Sequence, residues 1–194
     1  IRLKGSTATN PVAVGDIVNF EADVPEGVLE QDLASYVTPE NAAVITSVEP
    51  RRNYIIRKST NLSRQSHIIA ANLDRACLVV TLDFPQVKLP FLDRLLVTCE
   101  VYNVQPVIVL NKCDLYGPEH EDMHTAFHER YEGAGYTVID VSAHTGQGLD
   151  RLREVIADGV SLFSGVSGVG KSSLIKAIDP SLEPRVGDIS TAHE

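Results

Sequence analysis

The segment LFSGVSGVGKSSLIKAI constrains the fold of this chain more than any other. Its centre, Gly165, Val166, Ser167, Gly168, Val169, Gly170, Lys171 and Ser172, matches the GxxxxGK[ST] phosphate loop. It lies between an apolar strand-like run and a helix-like run, the context that the motif requires. Glycines let backbone N–H groups turn inward around phosphate oxygens, and the start of the following helix adds the positive end of its dipole. Lys171 would reach the β- and γ-phosphates, and the Ser172 hydroxyl would coordinate Mg²⁺. Lys171 and Ser172 are therefore the catalytic candidates, in a chemistry that is mainly positioning and charge neutralisation.

A loop of this kind ordinarily opens its domain, yet here it begins at position 165 of 194. Its partners must lie upstream, and two motifs there fit. NKCD, from Asn111 to Asp114, ends an apolar strand-like run. A carboxylate at Asp114 can accept from the N1–H and exocyclic amine of guanine, an arrangement of donors that adenine lacks. Asn111 can bond the other edge of the base, and the Lys112 stem can lie along its face. SAHTGQG, from Ser142 to Gly148, ends a further strand, where N–H groups around Ser142 and Ala143 would bond guanine O6. One motif reads phosphates and two read the base, so the expected ligand is GTP or GDP with Mg²⁺. A site that pairs a polar base edge rejects the wrong base by roughly 10⁴-fold or more, because its own groups are left unpaired.

The rhythm of the chain divides it in two. Residues 1–64 hold short strand-like runs, GDIVNF (15–20), NAAVITSVEP (41–50) and NYIIRKS (53–59), and read as a small β module. An acidic loop at 21–40 separates the first two. From residue 65 to 194, apolar strands alternate with helical patterns. Strands are expected at 76–84, from Gln105, from Thr137 and from Val160, with helices over 90–103, 119–135 and from Gly148, and a last helix from Lys171. This is the pattern of an α/β domain with a parallel sheet covered by helices on both faces, whose ligands bind beyond the carboxyl ends of the strands. With the base-reading motifs ahead of the phosphate loop, it is a circularly permuted P-loop GTPase domain. The switch segments, including a DxxG loop, are then expected beyond Ser173.

Composition narrows the partners. The formal net charge is −9, which argues against nucleic-acid binding by bulk electrostatics. The charge is uneven, however: residues 5–50 carry eight acids and no Lys or Arg, whereas Arg51, Arg52, Arg57, Lys58 and Arg64 form a stretch without an acid. That basic stretch is the candidate nucleic-acid surface. No apolar run is long enough to span a membrane, and no signal-peptide pattern opens the chain, so neither is expected. Cys77, Cys99 and Cys113 are odd in number and far apart, which fits buried thiols in a reducing compartment.

The order NKCD, SAHTGQG, GVSGVGKSSL, behind a β module carrying VEPRRN, closely resembles the RsgA (YjeQ) family of bacterial GTPases of small ribosomal subunit biogenesis. The likeness runs from LKG and VGDIV through IAANLDRACLVV to VGDIS. It implies an OB-fold at 1–64 that lacks its first strands, then a permuted GTPase domain and a C-terminal zinc domain whose Zn²⁺ ligands lie outside this chain. It also implies a cytoplasmic monomer that binds the small subunit and rRNA, with GTP hydrolysis stimulated by that subunit. The switch threonines and DxxG loop of the family are not found in this sequence. Two other readings compete: a permuted GTPase serving the large subunit, against which the PRRN module argues, and an RNA-binding assembly checkpoint in which GTP mainly sets affinity.

Overall fold

The structure is a computed structural model and describes residues 2–3, 12–29, 32–38, 41–58 and 66–182. It divides into two units, Ile1–Asn72 and Leu73–Glu194. The boundary read from the sequence, at 64/65, falls ahead of a strand that the first unit claims by backbone pairing.

In the first unit, β1 (Arg2–Leu3), β2 (Val18–Glu21) and β3 (Val44–Val48) form a sheet in the order β1-β3-β2. The β1 pairing is parallel and the β2 pairing antiparallel, with a register shift between Asn19 and Phe20. A second sheet pairs β4 (Tyr54–Lys58) with β5 (Ser66–Ala71), antiparallel. Strand β5 was not among the sequence expectations; its run SHIIAA is short and lacks clean alternation. Gly15 is the close-approach glycine of this unit: φ is +88°, and a Cβ there would stand 2.1 Å from the Ala71 carbonyl oxygen. The acidic loop contains one short helix, α1 (Leu33–Tyr36), and Asn41 closes it by donating from Nδ2 to the carbonyls of Asp23 (2.7 Å) and Tyr36 (3.0 Å).

The second unit has one fully parallel sheet in the order β8-β7-β6-β9, from β6 (Arg75–Val80), β7 (Gln105–Leu110), β8 (Thr137–Asp140) and β9 (Ser161–Ser164). Crossovers run through α2 (Leu89–Val101), α3 (Glu121–Gly133) and α4 (Leu149–Ile156), and α5 (Lys171–Ile178) follows β9. Strand residues alternate between faces, and here both faces are buried, which is why the strands read as unbroken apolar runs. Cys77, Val79, Val107, Val109 and Ile139 face Leu149 and Leu152 of α4 and Leu174 of α5. The alternate residues, among them Leu78, Ile108 and Val138, are equally buried on the side where α2 and α3 pack on the strands. Strand β6 stops at Val80, short of the expected 84, because the Leu82 N–H leaves the ladder to donate to the Tyr116 hydroxyl at 2.9 Å, while Thr81 Oγ1 donates to the Pro85 carbonyl.

Of the three thiols expected to be buried, Cys113 is only half-buried. Cys77 and Cys99 are closed off from solvent, and burial pushes each pKa up to about 11, so neither is a nucleophile at neutral pH.

Candidate functional site

Three of the four parallel strands deliver their carboxyl ends to one place. Beyond β7 lies the turn 111–115, beyond β8 the loop 141–148, and beyond β9 the loop 165–170. A cleft of about 410 Å³ is lined by Asn111, Lys112, Asp114, Leu115, Ala143, His144, Gly170 and Ser173. The sequence motifs are thus neighbours in space although the third lies more than fifty positions after the first.

The phosphate loop is built on glycine conformations. Gly168 (φ +83°) and Gly170 (φ +90°) occupy the left-handed region, and a Cβ at Gly170 would stand 2.6 Å from Asn111 Nδ2. Val169 points the other way, into the core with Leu174, and anchors the loop to the sheet. Lys171 opens α5 and donates from Nζ to the carbonyls of Gly165 (2.9 Å) and Val166 (2.7 Å), arching over the loop. Partial burial lowers its pKa, as desolvation disfavours the ammonium; an anion at the loop would restore it. Ser172 is half-buried and Ser173 exposed in the same first turn. Gly165, Val166, Ser167 and Gly168 complete the loop, with residues 166–168 exposed.

Asn111 lines the cleft and is 1% exposed: Nδ2 donates to the Val169 carbonyl at 2.9 Å, and Oδ1 accepts from the Ala143 N–H at 3.3 Å. These two bonds tie all three loops together and leave one amide N–H and one oxygen lone pair unused. Lys112, in the left-handed region at φ +66°, likewise reaches across and donates from Nζ to the Gly168 carbonyl at 2.8 Å and to that of Phe84. Ser142 is fully buried and serves its own loop. Its N–H donates to Gln147 O at 2.9 Å, and its Oγ accepts from the N–H groups of His144 (3.2 Å) and Thr145 (3.0 Å). The Ala143 N–H, by contrast, is held by a long bond to Asn111. Asp114 differs from all of these: it is exposed in the turn Cys113–Leu115, and among the described residues no group hydrogen-bonds its carboxylate.

Sequence reasoning missed Tyr116. Its hydroxyl donates to the Asn111 carbonyl at 2.6 Å and accepts from the Leu82 N–H, pinning the base-side turn to the end of β6. Burial pushes its pKa up to about 12, so it remains a donor. Nothing in the letters NKCDLYG marks it, since the contact is made across the sheet.

In the basic stretch, one position is engaged within the module. Arg51 forms a two-bond pair with Asp16, Nε to Oδ1 at 2.7 Å and Nη2 to Oδ2 at 2.8 Å, and the Asp16 side chain is wholly covered. The guanidinium holds the Asp16 carboxyl below its ordinary pKa of 3.8. Arg51 is therefore tied into the internal structure of the module by Asp16. Arg52 is exposed and donates to the Asn72 carbonyl at 3.2 Å. Arg57 and Lys58 lie on β4 by backbone, and Arg64 lies outside the described residues.

Comparison with known proteins agrees with this arrangement. The family model described as RsgA GTPase matches residues 48–194. The chain is 45% identical to "Small ribosomal subunit biogenesis GTPase RsgA" of Bacteroides fragilis and 43% identical to that of Christiangramia forsetii, over 99% of this chain and 57% of each relative. It therefore spans little more than half the length of these curated relatives. Among solved structures it is similar to YjeQ from Thermotoga maritima, with a TM-score of 0.69, 31% identity, and coverage of 93% of this chain and 56% of that one. It is also similar to YloQ, described as a circularly permuted GTPase, with a TM-score of 0.59, 30% identity, and coverage of 92% and 53%. By sequence, by motif order and by fold, this chain belongs to the RsgA GTPase family.

Proposed function

We propose that this chain carries the guanine-nucleotide site of a GTP hydrolase that binds the small ribosomal subunit and assists its maturation. The observation behind this reading is the convergence of the turn 111–115, the loop 141–148 and the loop 165–170 on one cleft, with an uncommitted carboxylate, Asp114, at its edge. Asp114 reads the N1–H and amine of guanine, and the Ala143 N–H exchanges its long bond to Asn111 for guanine O6. Asn111, Ser142 and Tyr116 are positioning residues that hold these two in register. The N–H groups of Gly165 to Ser173 surround the phosphates, and the Lys171 ammonium leaves the Gly165 and Val166 carbonyls for phosphate oxygens.

Mg²⁺ fits the residues present: the Ser172 hydroxyl, half-buried in the first turn of α5, is the ligand this chain would supply. When bound, the ion neutralises charge on the phosphates. The first unit is read as an OB-fold-like module whose rRNA contact comes from Arg52, Arg57, Lys58 and Arg64. The complete protein is read as a cytoplasmic monomer carrying a zinc domain; no helix among the described residues is long and apolar enough to cross a membrane.

Two measurements test the reading. Fluorescent GTP should bind the chain far more tightly than the ATP analogue, and Asp114→Asn should move the preference towards xanthosine triphosphate by about 100-fold or more. Unchanged GTP selectivity in that variant would remove Asp114 from the base site. Hydrolysis by the full-length protein should rise with purified small subunits and not with large ones; stimulation by large subunits alone would replace the partner.

A further inference from the structure

On α3, His124 and His128 stand four residues apart, which places both rings on one helical face. That face meets the carboxyl end of β8, whose last residue is Asp140. His124 Nε2 lies 2.9 Å from Asp140 Oδ2, and His128 Nε2 lies 3.0 Å from Asp140 Oδ1. The two ring centroids are 4.5 Å apart, and one ligand atom from each of the three residues lies within 4.8 Å of the others. On the far side of His128, Nδ1 lies 3.3 Å from Glu132 Oε1.

This is an unusual concentration of contacts for a plain helix-to-strand tie. His128 meets a carboxylate at both nitrogens, and the Asp140 carboxylate meets two imidazoles. Protons on the contacting nitrogens satisfy the arrangement, but so does one divalent cation taken up by the two Nε2 lone pairs and a carboxylate oxygen. Glu132, near Nδ1 of His128, would then be the outer partner that metal-bound histidines regularly have. Two imidazoles and a carboxylate suit a first-row transition ion of the zinc type, with water in the remaining position. There is room for that water, because His124 and Asp140 line a second cleft of about 380 Å³ together with Cys113, His120 and Glu121. In the wall of this cleft the buried His120 Nδ1 has no hydrogen-bond partner among the described residues.

We propose that His124, His128 and Asp140 form a binding site for one divalent transition-metal ion of the zinc type. The site is separate from the Ser172 position for Mg²⁺, and none of its residues belongs to the motifs of the nucleotide cleft. A bound ion locks α3 to the end of β8, immediately ahead of Val141 and Ser142. The Asp140 carbonyl also lies close against Gly148, where a Cβ would stand 1.9 Å from it.

The test is titration of this chain, stripped with a chelator, with Zn²⁺ by calorimetry and with Co²⁺ by visible absorption. One equivalent should bind, reversed by chelator, with a higher melting temperature in the presence of Zn²⁺, as binding to the native state requires. His128→Ala and Asp140→Asn should each weaken binding by at least about 30-fold, and Glu132→Gln by about 10-fold, the range seen for outer-shell partners. His124→Gln provides a milder variant with the same expected loss as His128→Ala, should the alanine variant fail to fold. Absence of one-equivalent binding, or unchanged affinity in a folded His128→Ala or His124→Gln variant, overturns the proposal.

Discussion

The two units solve the same problem, closing a β-sheet against water, by different means. The second unit buries both faces of a parallel sheet, and Ala76 to Val80 and Val107 to Leu110 are all nearly inaccessible. The first unit has few buried side chains among its described residues: Ala43, Ile45, Asn53, Ile55, Ala70 and Ala71. Val14 (77%), Ile17 (64%) and Phe20 (44%) stay exposed there. In its place stand specific polar ties: the Arg51–Asp16 pair, the Asn41 amide across the acidic loop, and the Asn72 amide, which donates to the Gly15 carbonyl at 2.9 Å. Apolar area stabilises in proportion to what is buried, whereas a tie of this kind acts at one point and fails when one partner is removed. A chemical site on the second unit thus sits on a rigid frame, while the first unit depends on single residues.

That contrast can be broken most sharply at Lys171. Lys171→Ala should lower GTP binding or turnover by roughly 10²–10³-fold, as loss of a group aimed at phosphate charge does. The melting temperature should change little, because the core beneath does not involve this side chain. Equilibrium nucleotide binding alongside a thermal melt checks both parts; wild-type binding would disprove the assignment of the phosphate loop.

Arg51→Ala attacks the first unit instead. It strands a covered carboxylate, and the loss should be about 3 kcal/mol in denaturant unfolding, with GTP affinity unaltered. The pH dependence has a definite sign. The Asp16 pKa is depressed in the folded state, so the pair contributes fully above the ordinary value of 3.8 and is lost as pH falls through the lower, folded value. Variant and wild type should therefore converge in stability in acid. A gap that persists well below pH 3.8 would contradict the ion-pair account.

The smallest effect is expected at Tyr116. Tyr116→Phe removes one donor and one acceptor between the Leu82 N–H and the Asn111 carbonyl, at a cost of about 1–2 kcal/mol. Because that bridge seats the base-side turn, GTP affinity should fall several-fold while selectivity over ATP persists. Comparing both nucleotides on the variant tests this, and a lost preference for GTP would make Tyr116 more than a positioning residue.

Legibility in the sequence followed the same divide. Runs such as ACLVV and PVIVL declare themselves because a strand buried on both faces tolerates no polar residue, and each of the expected strands after residue 75 is present. The phosphate loop was equally plain, since the backbone at Gly168 and Gly170 lies in the left-handed region that favours glycine. Strand β5 escaped notice because its identity comes from pairing with β4, not from its own pattern. The Arg51 pairing was hidden for a related reason: charge in a sequence does not reveal that Asp16, thirty-five positions earlier, bonds it.

What the sequence determined by itself is the kind of chain this is: a parallel α/β sheet, a phosphate loop placed late, and two base-side motifs ahead of it. These are local properties, carried by apolar periodicity and by residues whose chemistry admits few backbones. Only the tertiary structure decided which of those residues bond one another. Asn111 proved to be a joint between loops, Ser142 a brace within its own loop, Tyr116 joined the base-side turn from outside any motif, and His124, His128 and Asp140 met from a helix and a strand. Each of these depends on contacts between segments far apart in the chain, and a side chain with two competing partners takes the one that the packed sheet brings within hydrogen-bonding distance.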